Sequence, residues 1–321
     1  MKTISKLEFE AIRDVASEGA SLLSEGIFEK DLLVAEILKV VSDSSCFDIL
    51  PVFCGGTCLS QAYRLIQRMS EDIDFKLIVP EGLSRNARSK KLKSLKHQLV
   101  ANLVEAGFYV PADEIRARNE NSFIAMNIYY KSCFAPVASL RPEIKLELTA
   151  RAPRLPTRSR TITTLLEEMV PFNREAICLD CISVEETLVE KLVSFLRRTA
   201  EHRAGYSRGS YDNRLVRHLY DVYAIASVDP ALLDDTLLEH FAVLVHEDAR
   251  QFENQFPLFV EDPCGQMRLA LSALELDHTF EKEYQALLQE LVFGAQVPFG
   301  EARRLFASMA ESGLAYLERR A

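Results

Sequence analysis

Two aspartates one residue apart, Asp72 and Asp74, lead into an apolar stretch, IDFKLIV, with the character of a strand. In a strand, residues i and i+2 leave the same face about 6.5–7 Å apart, so both carboxylates reach one space. Like charges held there repel unless cations lie between them. Hard divalent ions with oxygen ligands meet that need, Mg2+ foremost, and two of them about 3.5–4 Å apart suit an in-line displacement at phosphorus. A third carboxylate on a neighbouring strand would complete the ligand set. Glu147, within EIKLELT, shares a strand face with Lys145 and Thr149, opposite Ile144, Leu146 and Leu148, and is the best candidate.

Upstream, Gly55-Gly56-Thr57 offers the other half of such a site. Glycines let the backbone approach a phosphate, a following helix aims N–H groups and its positive end at it, and the Thr57 hydroxyl can donate a further bond. Taken singly, a glycine pair before a helix is ordinarily a turn and a D-x-D ordinarily a solvated strand end. Together, with a helix filling the gap from Thr57 to Asp72, they describe a triphosphate cradle facing a metal pair.

The elements that must position these residues follow from periodicity. Residues 7–23 and 27–41 repeat apolar positions at helical spacing, with Glu25-Gly26 as the break between them. Residues 47–56 read as a buried strand ended by glycines, TCLSQAYRLIQ as the helix after it, and IDFKLIVP as a second strand stopped by Pro80 and Gly82. A long polar helix over 83–106 carries Arg85, Arg88, Lys90, Lys91, Lys93, Lys96 and His97. Residues 122–130 and 143–149 look like further sheet strands, and 150–161, with its prolines and arginines, like an exposed connector. From Val184 onward the pattern turns mostly helical, interrupted by a polar loop over 204–213. The expected fold is α/β (α+β): a helical lead-in over 1–43, a domain with a short mixed sheet over 44–165, and a mainly helical part over 166–321.

Composition narrows the class. Of 321 residues, 48% are apolar, enough for real cores. No run approaches the ~18 apolar residues of a membrane span, and MKTISKLEFEAIRD lacks a signal-peptide core, so a soluble cytoplasmic protein without a membrane partner is expected. Seven cysteines without framework spacing suit a reducing compartment. Cys178 and Cys181 form a C-x-x-C inside an alternating run with no second pair, which reads as small buried residues rather than zinc ligands. A net charge of −9 argues against an indiscriminate nucleic-acid coat and leaves local basic patches as the route to RNA.

The run GGT…RMSEDIDF resembles the signature of the polymerase-β-type nucleotidyltransferase superfamily, and Arg68, Ser70 and Glu71 narrow the resemblance to the AbiEii/AbiGii toxin family, which includes the MenT toxins. EETLVEKLVSF is similar to the family helix with an essential lysine, here Lys191, and RHLYDVYAI to the later helix with an essential aspartate, here Asp221. The resemblance implies a catalytic domain over 44–165, with the helical part contributing Lys191 and Asp221. It implies Asp72 and Asp74 as ligands of two Mg2+ ions, with Glu147, chosen by its strand placement, as the third. Gly55, Gly56, Thr57, Arg68, Ser70 and Lys191 would bind the NTP, and Asp72, Asp74, Lys191 and Asp221 would be the catalytic set.

From the residues themselves, Lys191 borders the apolar face of its helix, where it can extend its charge toward a cleft. Asp221 shares a stripe with Arg214 and Arg217, away from Leu215, Leu219 and Val222, which reads as a surface ladder. The family role would instead be to orient an active-site cation or to act as a base, and the sequence leaves both open.

The implied acceptor is RNA, notably the tRNA 3′ end, with a cognate antitoxin as protein partner. Three basic segments, 85–97, 151–160 and 197–217 with His202 and His218, are the candidate phosphate contacts. The same chemistry on a small-molecule or protein hydroxyl is the alternative, and a non-catalytic nucleotide- or RNA-binding module a second. The basic segments weigh against the former and the intact aspartate pair against the latter.

Overall fold

The alternation in IKLELT and DIDFKLI is that of two strands lying side by side, each with one apolar and one charged face. The computed structural model describes residues 1–17, 23–44, 48–172, 174–207, 209, 211–229 and 232–320. The chain divides into two units, Met1–Ser183 and Val184–Ala321.

The first unit is built on a seven-stranded mixed sheet of order β3-β4-β5-β2-β1-β7-β6. Its strands are β1 (Leu50–Cys54), β2 (Asp72–Ile78), β3 (Arg116–Arg118), β4 (Phe123–Ile128), β5 (Ile144–Thr149), β6 (Arg158–Thr161) and β7 (Cys178–Cys181). Central β2 runs antiparallel to β1 and parallel to β5. Phe53, Ile73, Phe75, Leu146 and Leu148 are all buried and lie in register on one face, the Phe53 and Phe75 rings 5.4 Å apart. Removing that face from water fixes the register, because a one-residue slip would expose every apolar side chain.

The helices of this unit are α1 (Lys6–Ser17), α2 (Glu25–Asp43), a single turn α3 (Gly55–Thr57), α4 (Arg85–Glu105) and α5 (Leu165–Met169). Residues 18–22 of the first expected helix and Phe47 of the first expected strand lie outside the described residues. Three expectations need correction. Glu25-Gly26 is no break but the first turn of α2, and glycine is required there because a Cβ on Gly26 would come within 2.8 Å of Val137 Cγ2. The helix expected over TCLSQAYRLIQ is short: α3 passes into a π-turn, Cys58–Ala62, and stops. Arg64 adopts a left-handed φ of 55°, and Leu65 N–H returns to Leu59 C=O at 2.9 Å, which closes a helix end. Finally, part of the expected connector is strand β6, antiparallel to β7. All four of its residues are exposed, so backbone pairing rather than burial holds it and no hydrophobic alternation marks it.

Helix α2 buries three consecutive charged residues, each tying down a different segment. Glu29 accepts from Cys133 N–H at 2.6 Å and from the Ser132 hydroxyl. Lys30 pairs with Glu71 at 2.5 Å and donates to the Arg141 carbonyl. Asp31 accepts from Leu165 N–H and from Gln61 Nε2, both at 2.7 Å.

Burial raises the Asp31 carboxyl from 3.8 to about 6. The folded chain therefore keeps this proton where the unfolded chain releases it. The group's contribution to stability is full below its unfolded pKa and is lost as pH rises through about 6, roughly 3 kcal/mol in all. Asp31→Asn is expected to remove that loss, since Gln61 Oε1 is buried without a partner among the described residues and a turned amide would accept from the asparagine. Urea melts of wild type and variant should diverge by about 3 kcal/mol, in the variant's favour, between about pH 4 and pH 7.

The second unit is helical: α6 (Val184–Arg203), a 3₁₀ turn over Asn213–Val216, α7 (Arg217–Val228), α8 (Asp235–Gln251), α9 (Pro257–Glu261), α10 (Pro263–Leu276), α11 (Thr279–Leu291) and α12 (Phe299–Glu318). Phe195 of α6 packs its ring 5.9 Å from Phe280 and 4.9 Å from Phe306, joining three helices at one aromatic cluster. No described helix is long and apolar enough to cross a membrane.

Candidate active site

The charged face of the sheet is set by the same register that sets the core. Along β2 it presents Asp72, Asp74 and Lys76; along β5, Lys145, Glu147 and Thr149. Asp72 lies opposite Lys145, a favourable cross-strand pair, but Asp74 lies directly opposite Glu147. Two carboxylates in that relation repel unless cations compensate them. The three expected metal ligands thus occupy one face, two of them as immediate neighbours.

Cations of the chain already reach this face. Arg141 Nη1 is 2.8 Å from Asp72 Oδ1, and Lys145 Nζ is 2.5 Å from Glu147 Oε1. Among the described residues no three His, Cys, Asp or Glu side chains are closed around a common point as a finished metal cage. The donor set nevertheless fits a hard divalent ion, being all carboxylate oxygen and open enough for two of its members to accept cationic nitrogen now.

The glycine turn packs on the aspartates. Gly55 has a φ of +80°, and a Cβ there would overlap Asp74 Oδ2, so glycine is required twice over. A Cβ on Gly56 would lie 2.8 Å from both an Arg68 guanidinium nitrogen and Ser70 Oγ. Thr57 is fully buried; its hydroxyl donates to the Asp72 carbonyl and lies 3.0 Å from Ser70 Oγ. The expected phosphate bond from Thr57 is thereby corrected: its hydroxyl fixes the start of β2. Arg68, also buried, donates to the Met69 carbonyl at 3.1 Å. What the turn leaves for a phosphate is its backbone.

In the second unit Lys191 and Asp221 come together, Nζ to Oδ2 at 2.6 Å, with both side chains buried. The surface ladder expected for Asp221 is therefore corrected. Arg214 belongs to the 3₁₀ turn and Asp221 to α7, and the change of pitch between them breaks the stripe on which they were aligned. His218, buried beside the pair, has its pKa held well below the ordinary value by desolvation first and by Lys191 second. It stays neutral and donates from Nδ1 to the Lys191 carbonyl at 3.1 Å.

The three basic segments differ in what they can offer. On α4, Lys90, Lys93 and His97 are exposed, while Lys91 pairs with Asp48 and Arg85 with Glu120. In 151–160, Arg160 lies over the Tyr63 ring at 4.9 Å. In 197–217, Arg197 is buried between Glu201 and Asp248, both at 3.1 Å, and stacked on Phe252. That arginine, like His218, is internal architecture and no surface for RNA; Arg208 lies outside the described residues.

The C-x-x-C is likewise no ligand pair: Cys178 is exposed and Cys181 buried, as an i,i+3 spacing on a strand requires. Sequence reasoning missed Arg141, Lys76 and the Lys30–Glu71 anchor. Lys76 had a signal, the third term of the Asp72, Asp74 alternation. Arg141 had none, because it comes from an irregular segment.

A family model described as the nucleotidyl transferase AbiEii toxin of type IV toxin–antitoxin systems matches residues 36–304. Among solved structures, the MenT4 nucleotidyltransferase toxin of Mycobacterium tuberculosis aligns with a TM-score of 0.56 at 16% identity, covering 96% of this chain and 88% of that one. At that identity the likeness concerns the fold. No curated protein matches.

Proposed function

The chain belongs to the AbiEii nucleotidyltransferase toxin family of type IV toxin–antitoxin systems, and from that premise we propose that it transfers a nucleoside monophosphate from an NTP to an RNA hydroxyl, the 3′ end of tRNA foremost, with Mg2+ at the carboxylate face. Enzyme class, NTP substrate and an antitoxin partner follow from the family; acceptor, metal and residue roles are the proposal. The observation that carries it is Asp74 opposite Glu147, a like-charge pair two residues along from Asp72, beside a turn whose glycines keep side chains away from it.

Asp72, Asp74 and Glu147 would hold two Mg2+ ions, which supply charge neutralisation at the triphosphate. The Gly55-Gly56 backbone presents N–H groups to the phosphates, and Arg68 and Ser70 brace the turn from beneath. In the transfer the acceptor hydroxyl gives its proton to solvent and its oxygen bonds to the α-phosphorus, the bond from that phosphorus to the bridging oxygen breaks, and pyrophosphate leaves with the electron pair. Lys191 is assigned to the triphosphate. Asp221, already accepting from its ammonium at 2.6 Å, is better placed to orient Lys191 than to take the acceptor's proton. Exposed Lys90, Lys93 and His97 are the first candidates for RNA phosphates.

The test is to incubate the protein with each α-labelled NTP, Mg2+ and total RNA, alongside Asp72→Ala. Label should enter tRNA with wild type only. Label on protein or small molecules instead would move the acceptor, and NTP binding without transfer would remove the activity altogether.

A further inference from the structure

We propose that Arg141 is the resident counter-cation of Asp72 and changes partner when the site loads, releasing the carboxylate to a divalent ion and taking up an oxygen of the nucleotide's triphosphate. The inference rests on the metal reading above. It goes beyond that reading in naming a triphosphate-binding residue and a device that couples metal to nucleotide.

Arg141 is held at its backbone and partly exposed at its guanidinium. Its N–H donates to Glu71 Oε2 at 3.0 Å, and its carbonyl accepts from the fully buried Lys30, which pairs with the same Glu71 oxygen at 2.5 Å. The backbone is therefore clamped by a desolvated ion pair. The guanidinium is different: beyond a long 4.0 Å contact from Nε to Glu71 Oε1 it pairs with Asp72 at 2.8 Å, and the Arg141 side chain is 40% exposed and that of Asp72 31% exposed. A pair in that much water is weak and readily exchanged, whereas the anchor that places it is not.

The chemistry of the exchange is ordinary. A divalent ion outcompetes a single positive charge at a carboxylate, and a planar guanidinium matches two phosphate oxygens as well as it matches a carboxylate. Lys145 on Glu147 has the same form, Arg141 lying three residues before β5 and Lys145 at its second residue. Without nucleotide, then, Asp72 and Glu147 each carry a cation of their own chain. Binding of either ligand would release the cations that favour the other.

Wild type, Arg141→Ala, Arg141→Lys and Asp72→Asn can be titrated with Mn2+ alone, followed by the resonance of free Mn2+, and with inorganic tripolyphosphate in Mg2+ by calorimetry. Removing the competing cation should tighten Mn2+ binding about two- to five-fold in Arg141→Ala. Tripolyphosphate should bind about ten-fold or more weakly in that variant, with Arg141→Lys recovering part of both effects. Mn2+ affinity that is unchanged or weaker in Arg141→Ala, while Asp72→Asn abolishes it, would overturn this inference and leave the metal reading standing. Equal Mn2+ binding by wild type and Asp72→Asn would remove both. Because the clamp is made by the backbone of residue 141, all variants should keep wild-type circular dichroism and melting.

Discussion

Asp74→Asn is expected to abolish nucleotidyl transfer, by about 10³-fold or more, while leaving the protein about as stable as wild type. The two halves have one origin. Asp74 lies on the charged face, opposite Glu147, and outside the apolar face that fixes the register. Asparagine keeps the volume that packs on Gly55 and leaves that core untouched, so stability should stay within about 0.5 kcal/mol of wild type. It also removes the negative oxygen that the metal reading needs. Transfer assays with equilibrium denaturation on the same preparation would check both. An inactive but destabilised variant would mean that Asp74 is a structural residue and that its loss of activity is indirect.

The second large effect is in the helical unit. Lys191→Met leaves the Asp221 carboxylate buried without its ammonium, and Asp221→Leu does the reverse; each should cost about 3–5 kcal/mol. The double variant, with apolar side chains at both positions, should recover most of that stability, since a buried pair is often no more stabilising than well-packed apolar groups. It should recover no transfer. Urea melts and transfer assays on the three variants form the cycle. A double variant that regained activity along with stability would show the pair to be packing alone, and would remove Lys191 from the nucleotide site.

How much was legible in the sequence depended on whether local periodicity and burial agreed. In β5 and the first five residues of β2 they do: charged and apolar residues alternate, so the strands and the face on which Glu147 lies could be read from IKLELT and DIDFK. After Gly55-Gly56-Thr57 they do not. The apolar pattern of LSQAYRLI continues past the point where Arg64 turns left-handed, because those side chains serve a loop packed on the sheet and no longer a helix. Helix α2 hid its function for a related reason. Glu29, Lys30 and Asp31 are three consecutive charges within its apolar repeat, yet each is buried against a segment far along the chain, and nothing within the helix announces partners at Cys133, Glu71 or Leu165. Asp221 was placed on the wrong face because a 3₁₀ turn precedes α7 and shifts its phase. The family segments around Lys191 and Asp221 were visible all the same, since such a resemblance depends on residue identity and not on pitch.

Transfer to the tRNA 3′ end is tested most directly at the acceptor's terminal hydroxyls. Purified tRNA, either intact or with its terminal 2′,3′-diol cleaved by periodate, can be incubated with the protein, Mg2+ and each NTP, and the mass of the RNA measured. Intact tRNA should gain one or more nucleoside monophosphates and periodate-treated tRNA none. Equal gain by both, or no gain by either while pyrophosphate is released, would contradict transfer to the tRNA 3′ end.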